Sequence, residues 1–102
     1  MADFKTRVLE LVKKIPEGRV TTYKNIAIAL GNPKAARAVG LALNKNPTPI
    51  LVPCHRVVKS TGRTGGYVTG SKEKEKLLKK EGIEIANSKI VNFAASKYKY
   101  RK

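Results

Sequence analysis

A chain of 102 residues with 41% hydrophobic and 28% charged residues has the length of one domain and an ordinary globular composition, which excludes a disordered or collagen-like protein. Its 22 lysines and arginines against 7 acidic residues give a net charge of +15 at pH 7, which points to a polyanionic partner and most simply to a nucleic acid. No apolar run approaches the roughly 20 residues that span a bilayer and the first residues lack the apolar core of a secretory signal, so a cytoplasmic, nucleoid-associated protein with no membrane partner is expected.

In chain order, Asp3 is placed to cap a first helix whose apolar residues Phe4, Val8, Leu11, Val12 and Ile15 recur at helical spacing, until Pro16-Glu17-Gly18 stops it. After a short extended Arg19-Val20, Thr21 or Thr22 caps a second helix through Tyr23, Ile26, Ala27 and Leu30, ended by Gly31. Asn32 then reads as an N-cap and Pro33 as the first helical position of a third helix continuing through Lys34 to Leu43. Two short helices around a glycine-containing turn match a helix-turn-helix. The third helix is mostly alanine and glycine, with Lys34 and Arg37 as its charges, which suits a helix meant to approach another backbone closely.

Asn44 to Pro49 is a loop, and Ile50-Leu51-Val52 a short buried extended run ending at Pro53. Val57-Val58 and Tyr67-Val68 are candidates for a small hairpin across the glycine-rich stretch between them. Ser71 is placed to cap a last helix through Leu77 and Leu78, which Gly82 ends just after Glu81. From Ser88 the chain reads as a frayed, basic end. The predicted fold is mostly α, a winged-helix-like helix-turn-helix domain with a small β hairpin over residues 1–87, followed by a basic tail over 88–102.

Positive charge concentrates in the middle of the chain. No acidic residue lies between Glu17 and Glu73, while Arg19, Lys24, Lys34, Arg37, Lys45, Arg56, Lys59, Arg63 and Lys72 all do. In the same window stand the only cysteine and the only histidine, adjacent in Pro53-Cys54-His55-Arg56. One cysteine forms no internal disulfide, and one cysteine with one histidine cannot make a four-ligand zinc site, so neither structural metal nor cofactor is expected. A thiol beside an imidazole is instead the raw material of a nucleophile with its base, provided the backbone turns so that the two side chains do not face opposite ways.

Several of these segments, in this order and spacing, resemble the DNA-binding, active-site domain of the O6-alkylguanine-DNA alkyltransferases over residues 4 to 85. They are Thr21-Thr22-Tyr23-Lys24-Asn25-Ile26-Ala27, the run from Gly31 to Gly40, Asn46-Pro47, Ile50 to Val58, and Leu77 to Gly82. The resemblance implies a suicidal, single-turnover protein that moves an alkyl group from O6-alkylguanine, with O4-alkylthymine as a further candidate, onto its own Cys54. His55 would be the base acting through water and Glu81 the carboxylate that orients His55. It also implies a monomer on the minor groove of double-stranded DNA. Arg37 would fill the gap left by the flipped base, and the small Ala36 would keep the helix thin. Tyr23 would press on the phosphate of the flipped nucleotide, and Lys34, Asn46 and Arg56 would complete the nucleic-acid contacts, Asn46 also as a hinge. Tyr67, the backbone of Val57, Gly65 and Gly66 would form the base pocket, which Val68-Thr69 make narrower than the small residues usual there.

Two other readings compete. A lesion-binding module without chemistry, as in the alkyltransferase-like proteins, fits the single-domain size, but those proteins lack the acceptor cysteine that Cys54 provides here. A cysteine hydrolase built on Cys54 and His55 lacks any oxyanion-hole motif or peptide groove.

Overall fold

The computed structural model describes residues 3–45, 53–65, 70–98 and 100. The first helix, α1 (Phe4–Lys13), starts where the Asp3 carboxylate accepts the Thr6 N–H at 2.8 Å, a bond that holds this carboxyl below its usual range. Val8 and Val12, one helical turn apart, are buried, and Ile15 is buried just beyond the helix end. The β-branched pair Thr21–Thr22 forms strand β1, and the Thr22 hydroxyl caps α2 (Tyr23–Ala29) by accepting the Asn25 N–H at 2.9 Å, a contact worth about 1 kcal/mol. Gly31, at φ +82, takes the left-handed turn that lets the chain reverse.

Helix α3 (Ala36–Asn44) begins three residues after Pro33, the first helical position that the sequence suggests. The Ala35 N–H donates to the Asn32 carbonyl at 3.0 Å, so Pro33 and Lys34 are absorbed in a separate turn and Asn32 does not cap the helix. Helices α1, α2 and α3 enclose one core of Val8, Val12, Ile15, Ile26, Ala27, Val39, Ala42 and Leu43, which also contains Cys54 and Val57. Burial of these side chains, at about 1.5–3 kcal/mol each for the larger ones, holds the three helices against the segment that carries the thiol.

Strand β2 (Val57–Val58) pairs in parallel with β1, Thr21 opposite Val57 and Thr22 opposite Val58. Thr21–Thr22 was not anticipated as its neighbour. The anticipated one, Tyr67-Val68, lies outside the described residues. Helix α4 (Ser71–Lys80) has Gly70 at its cap position with φ +108, so Ser71 is its first helical residue and not its cap. Glu81 closes α4 and Gly82 follows at φ +90.

The segment after Ser88 is not a frayed tail. Strands β3 (Ile85–Ala86) and β4 (Lys89–Ile90) form an antiparallel hairpin turned by Asn87 and Ser88, both at positive φ, and a short helix α5 (Phe93–Ser96) follows. Ile90 is buried in a second core with Val20, Val58, Leu78 and Ile83, against which Phe93 packs. Tyr98 donates its N–H to the Val20 carbonyl at 2.6 Å, and the Tyr100 hydroxyl donates to the Leu11 carbonyl at 2.8 Å. Four apolar or aromatic residues among the lysines of this stretch supply the burial that a basic composition hides. The result is a helix-rich small domain with small sheets, in which no described helix is long and apolar enough to cross a membrane.

Candidate functional site

After Pro53 the chain makes one turn of 3-10 helix, Cys54–Arg56, before entering β2. At three residues per turn, successive side chains are spread around the axis and not set on opposite faces, which is the turn the Cys54-His55 pair needs. Both are buried, Cys54 at 4% and His55 at 1% exposure. The parallel pairing of β2 with β1 and the packing of Cys54 into the three-helix core fix this turn from below.

His55 Nε2 lies 2.9 Å from Glu81 Oε2, and Arg56 grips the same carboxylate with both arms, Nε to Oε1 at 2.9 Å and Nη2 to Oε2 at 2.6 Å. Its remaining arm, Nη1, donates to the Ile15 carbonyl at 2.8 Å. Arg56, expected on DNA, is therefore a half-buried internal clamp whose guanidinium is committed to Glu81 and to the Ile15 carbonyl just beyond α1. Burial alone would push the Glu81 carboxyl up, but the bonds from Arg56 and His55 outweigh it and hold it below the usual range. An ionised Glu81 accepts from Nε2–H, so the lone pair of His55 sits on Nδ1, which is shielded from solvent. Burial depresses the His55 pKa below 6.5, with Arg56 and Lys74 acting in the same direction and Glu81 opposing. At neutral pH His55 is thus a neutral base with a fixed tautomer.

Lys74 was absent from the sequence expectations. It is fully buried, its Nζ 3.4 Å from the Tyr23 hydroxyl and 5.6 Å from the centre of the Tyr23 ring. Burial lowers its pKa to about 8, while the charge of Cys54 works to raise it. Burial likewise raises the Tyr23 pKa, with Cys54 adding to the effect. Tyr23 and Lys74 therefore sit within electrostatic reach of the thiol, and Lys74 also within reach of His55. The signal for Lys74 was its spacing: with Leu78 one turn on and Glu81 at the helix end it shares the inward face of α4.

Tyr23 also faces outward into a cleft of about 440 Å³ lined by Lys24, Ala36, Arg37, Gly40 and, across from them, Lys59, Ser60 and Thr61. Gly40 faces the Tyr23 ring, where an added Cβ would lie 3.9 Å away in ordinary van der Waals contact. Arg37 and Ala38 are exposed on the outer face of α3 with Leu41, Ala36 is half-buried beside them, and Lys34 is exposed in the preceding turn. Gly65 approaches Tyr23 and Lys59, an added Cβ there lying 3.6 Å from the Tyr23 hydroxyl. The Val57 side chain is buried and its N–H donates back to the Cys54 carbonyl. Asn46, Gly66 and Tyr67 lie outside the described residues. Among the described residues no group of three or more His, Cys, Asp or Glu side chains could hold a metal ion.

The family described as the DNA-binding domain of 6-O-methylguanine DNA methyltransferase matches residues 3–83. The methylated-DNA–protein-cysteine methyltransferase of Methanosarcina acetivorans is 52% identical over 80 residues, covering 78% of this chain and 51% of that protein. The human protein of the same name is 52% identical over 76 residues, 74% of this chain and 37% of that one. The chain thus spans about half the length, or less, of these curated relatives. Among solved structures, Mycobacterium tuberculosis OGT in complex with DNA superposes with a TM-score of 0.76 at 46% identity, over 79% of this chain and 50% of that one. S. pombe Atl1 in complex with damaged DNA containing O6-carboxymethylguanine superposes with a TM-score of 0.85 at 31% identity, over 98% of this chain and 100% of that one. With most of its length matched and the thiol segment inside the match, this chain belongs to the 6-O-methylguanine DNA methyltransferase family through its DNA-binding domain.

Proposed function

We propose that this chain repairs alkylated DNA by direct, stoichiometric transfer of an alkyl group from O6-alkylguanine to Cys54. The observation that carries this reading is a buried thiol beside a neutral histidine whose tautomer is fixed by an ionised, doubly clamped carboxylate. His55 Nδ1 takes the Cys54 proton through a water molecule, and the resulting imidazolium is stabilised by Glu81. The thiolate sulfur attacks the alkyl carbon, the S–C bond forms as the C–O6 bond breaks, and the electron pair goes to the guanine, which takes back through water the proton held by the His55 imidazolium and remains in the DNA as the unmodified base. Arg56 holds Glu81 in place, and the Lys74 ammonium offsets the cost of charge on Cys54 in its buried setting. No cofactor takes part.

The cleft is where duplex DNA docks in this proposal, as a monomeric complex on the minor groove. Arg37 occupies the place of the flipped base, Ala36 and Gly40 keep the inserted face thin, and Lys24, Lys34 and Lys59 meet phosphates. A duplex carrying one O6-methylguanine should lose the lesion in proportion to protein added, one lesion per chain without turnover. Cys54→Ser should leave it intact. Repeated turnover, or repair by Cys54→Ser, would contradict the proposal.

A second reading, lesion recognition without transfer, is favoured by the end-to-end likeness to S. pombe Atl1. The thiol separates the two: under this reading Cys54→Ala retains the whole function, and under the first it retains only binding.

A further inference from the structure

The family match ends at residue 83, yet residues 84–98 are built into the wall of the cleft. The wall is the turn 59–63, closed internally by the Lys59 N–H on the Arg63 carbonyl and the Gly62 N–H on the Lys59 carbonyl, both at 2.9 Å. From outside, the C-terminal hairpin holds the same turn. The Ile90 N–H donates to the Gly62 carbonyl at 2.9 Å, the Thr64 N–H donates to the Ser88 carbonyl at 3.0 Å, and Arg63 forms an antiparallel bridge with Lys89. Gly62 sits at φ +90 with the Phe93 ring so close that an added Cβ would be 3.2 Å from it. Thr64 is buried, and its hydroxyl lies 3.3 Å from Glu75 Oε2 on α4.

The hairpin is itself anchored at several points. Ile90 is buried in the second core, the Val91 N–H donates to the Glu84 carbonyl at 2.9 Å, and the Val20 N–H donates to the Ser96 carbonyl at 2.9 Å. The Arg19 guanidinium also bonds the Ala95 carbonyl. The wall residues Lys59, Ser60 and Thr61 therefore face α3 from a turn that backbone bonds at Gly62 and Thr64 tie to the C-terminal segment.

We propose that the β3–β4 hairpin with Phe93 is a positioning element for nucleic-acid engagement, setting the place of the 59–61 wall relative to Tyr23 and Arg37. This rests on the reading of the cleft as the DNA face. Displacement of a positioning group by about 1 Å is enough to cost a reaction up to a hundredfold, while long-range charge attraction is insensitive to such shifts.

The test uses Ser88, which is exposed at the hairpin turn and has φ +60, a value proline cannot adopt and glycine adopts freely. Ser88→Pro should loosen the hairpin and Ser88→Gly should keep it. Three quantities are compared in the full chain: hydrogen exchange at the Gly62 and Thr64 amides, the rate of Cys54 alkylation by iodoacetamide, and the rate of transfer from O6-methylguanine duplex. Ser88→Pro is expected to speed exchange at both amides and slow transfer at least about tenfold with the iodoacetamide rate unchanged, and Ser88→Gly to match the wild type. Wild-type transfer by a Ser88→Pro protein with faster exchange would overturn the inference, as would parallel loss of the transfer and iodoacetamide rates. If Ser88→Pro does not fold, Thr64→Val with rescue by Thr64→Ser is read the same way. If the wild type itself transfers nothing, the alkyl-transfer reading has failed, and the hairpin is judged on lesion-duplex affinity: weaker binding by Ser88→Pro than by Ser88→Gly supports it, and equal binding overturns it.

Discussion

Replacing Glu81 with glutamine keeps the shape of the clamp and removes its charge, which tests the histidine more sharply than deleting the side chain. Glu81 raises the His55 pKa while burial and Arg56 lower it, so Glu81→Gln should push that pKa further down. Transfer in the wild type should fall as the pH drops through the depressed His55 value, below 6.5, because a protonated imidazole accepts no proton. In Glu81→Gln the acid limb should move to lower pH and the plateau should drop by about tenfold or more, since a weaker base is left to work without its counter-charge. The pH–rate profile of both proteins checks this, and superimposable profiles would assign Glu81 a purely structural role. The same sign governs stability. Neutral, buried His55 contributes above pH 6.5, and the contribution is lost as the pH falls from there through its folded-state pKa.

Lys74 gives a second test at this scale, because a fully buried cation is costly to the fold unless it serves a neighbour. Lys74→Met should raise the melting temperature or leave it unchanged and yet slow transfer, since the cation near Cys54 is gone. Tyr23→Phe removes the hydroxyl that lies 3.4 Å from Lys74 Nζ, so it should be measurably slower than wild type even though the ring remains. Single-turnover rates for the two variants decide whether this pair acts on the thiol.

At the level of elements, the starts of α1 and α2 and the ends of α2 and α4 were legible because their signals are local. Asp3 and Thr22 cap where a carboxylate or hydroxyl can reach an N–H three residues on, and Gly31 and Gly82 supply the positive φ that ends a helix. Pairings between distant segments left no such trace. Thr21–Thr22 beside Val57–Val58 joins residues 36 apart, and two-residue strands carry no alternation to read. The hairpin at Asn87-Ser88 was hidden for a related reason, since its turn lacks glycine and its strands are as short. Arg56 shows the same limit within the site. An arginine in a basic run looks like a phosphate contact until its partner, 25 residues on, is placed beside it. For α3 the expected behaviour is specific. Arg37→Ala should slow transfer from duplex at least about tenfold while weakening duplex binding by about threefold or less, because only the flipped state depends on it. Equal losses in both measurements would make Arg37 an ordinary phosphate contact.

For the whole molecule, a net charge of +15 dominates the long-range field, and Lys24, Arg37 and Lys59 line the cleft. The three proposed phosphate contacts, Lys24, Lys34 and Lys59, would give a plot of log affinity against log salt with a slope of about −3 for undamaged duplex, which a titration across salt concentrations measures directly. A slope near zero would remove DNA as the partner that the charge implies. The composition alone pointed to this partner, but the proposed reacting atoms were legible only through the ordered motifs around Cys54, and the depressed His55 pKa only through burial. The most direct test is therefore the intact mass of the protein after incubation with duplex DNA carrying O6-methylguanine, read beside Cys54→Ser. One added methyl group per chain, located on Cys54 and missing from the variant, is the predicted result; an unchanged mass with the lesion still in the DNA would contradict it.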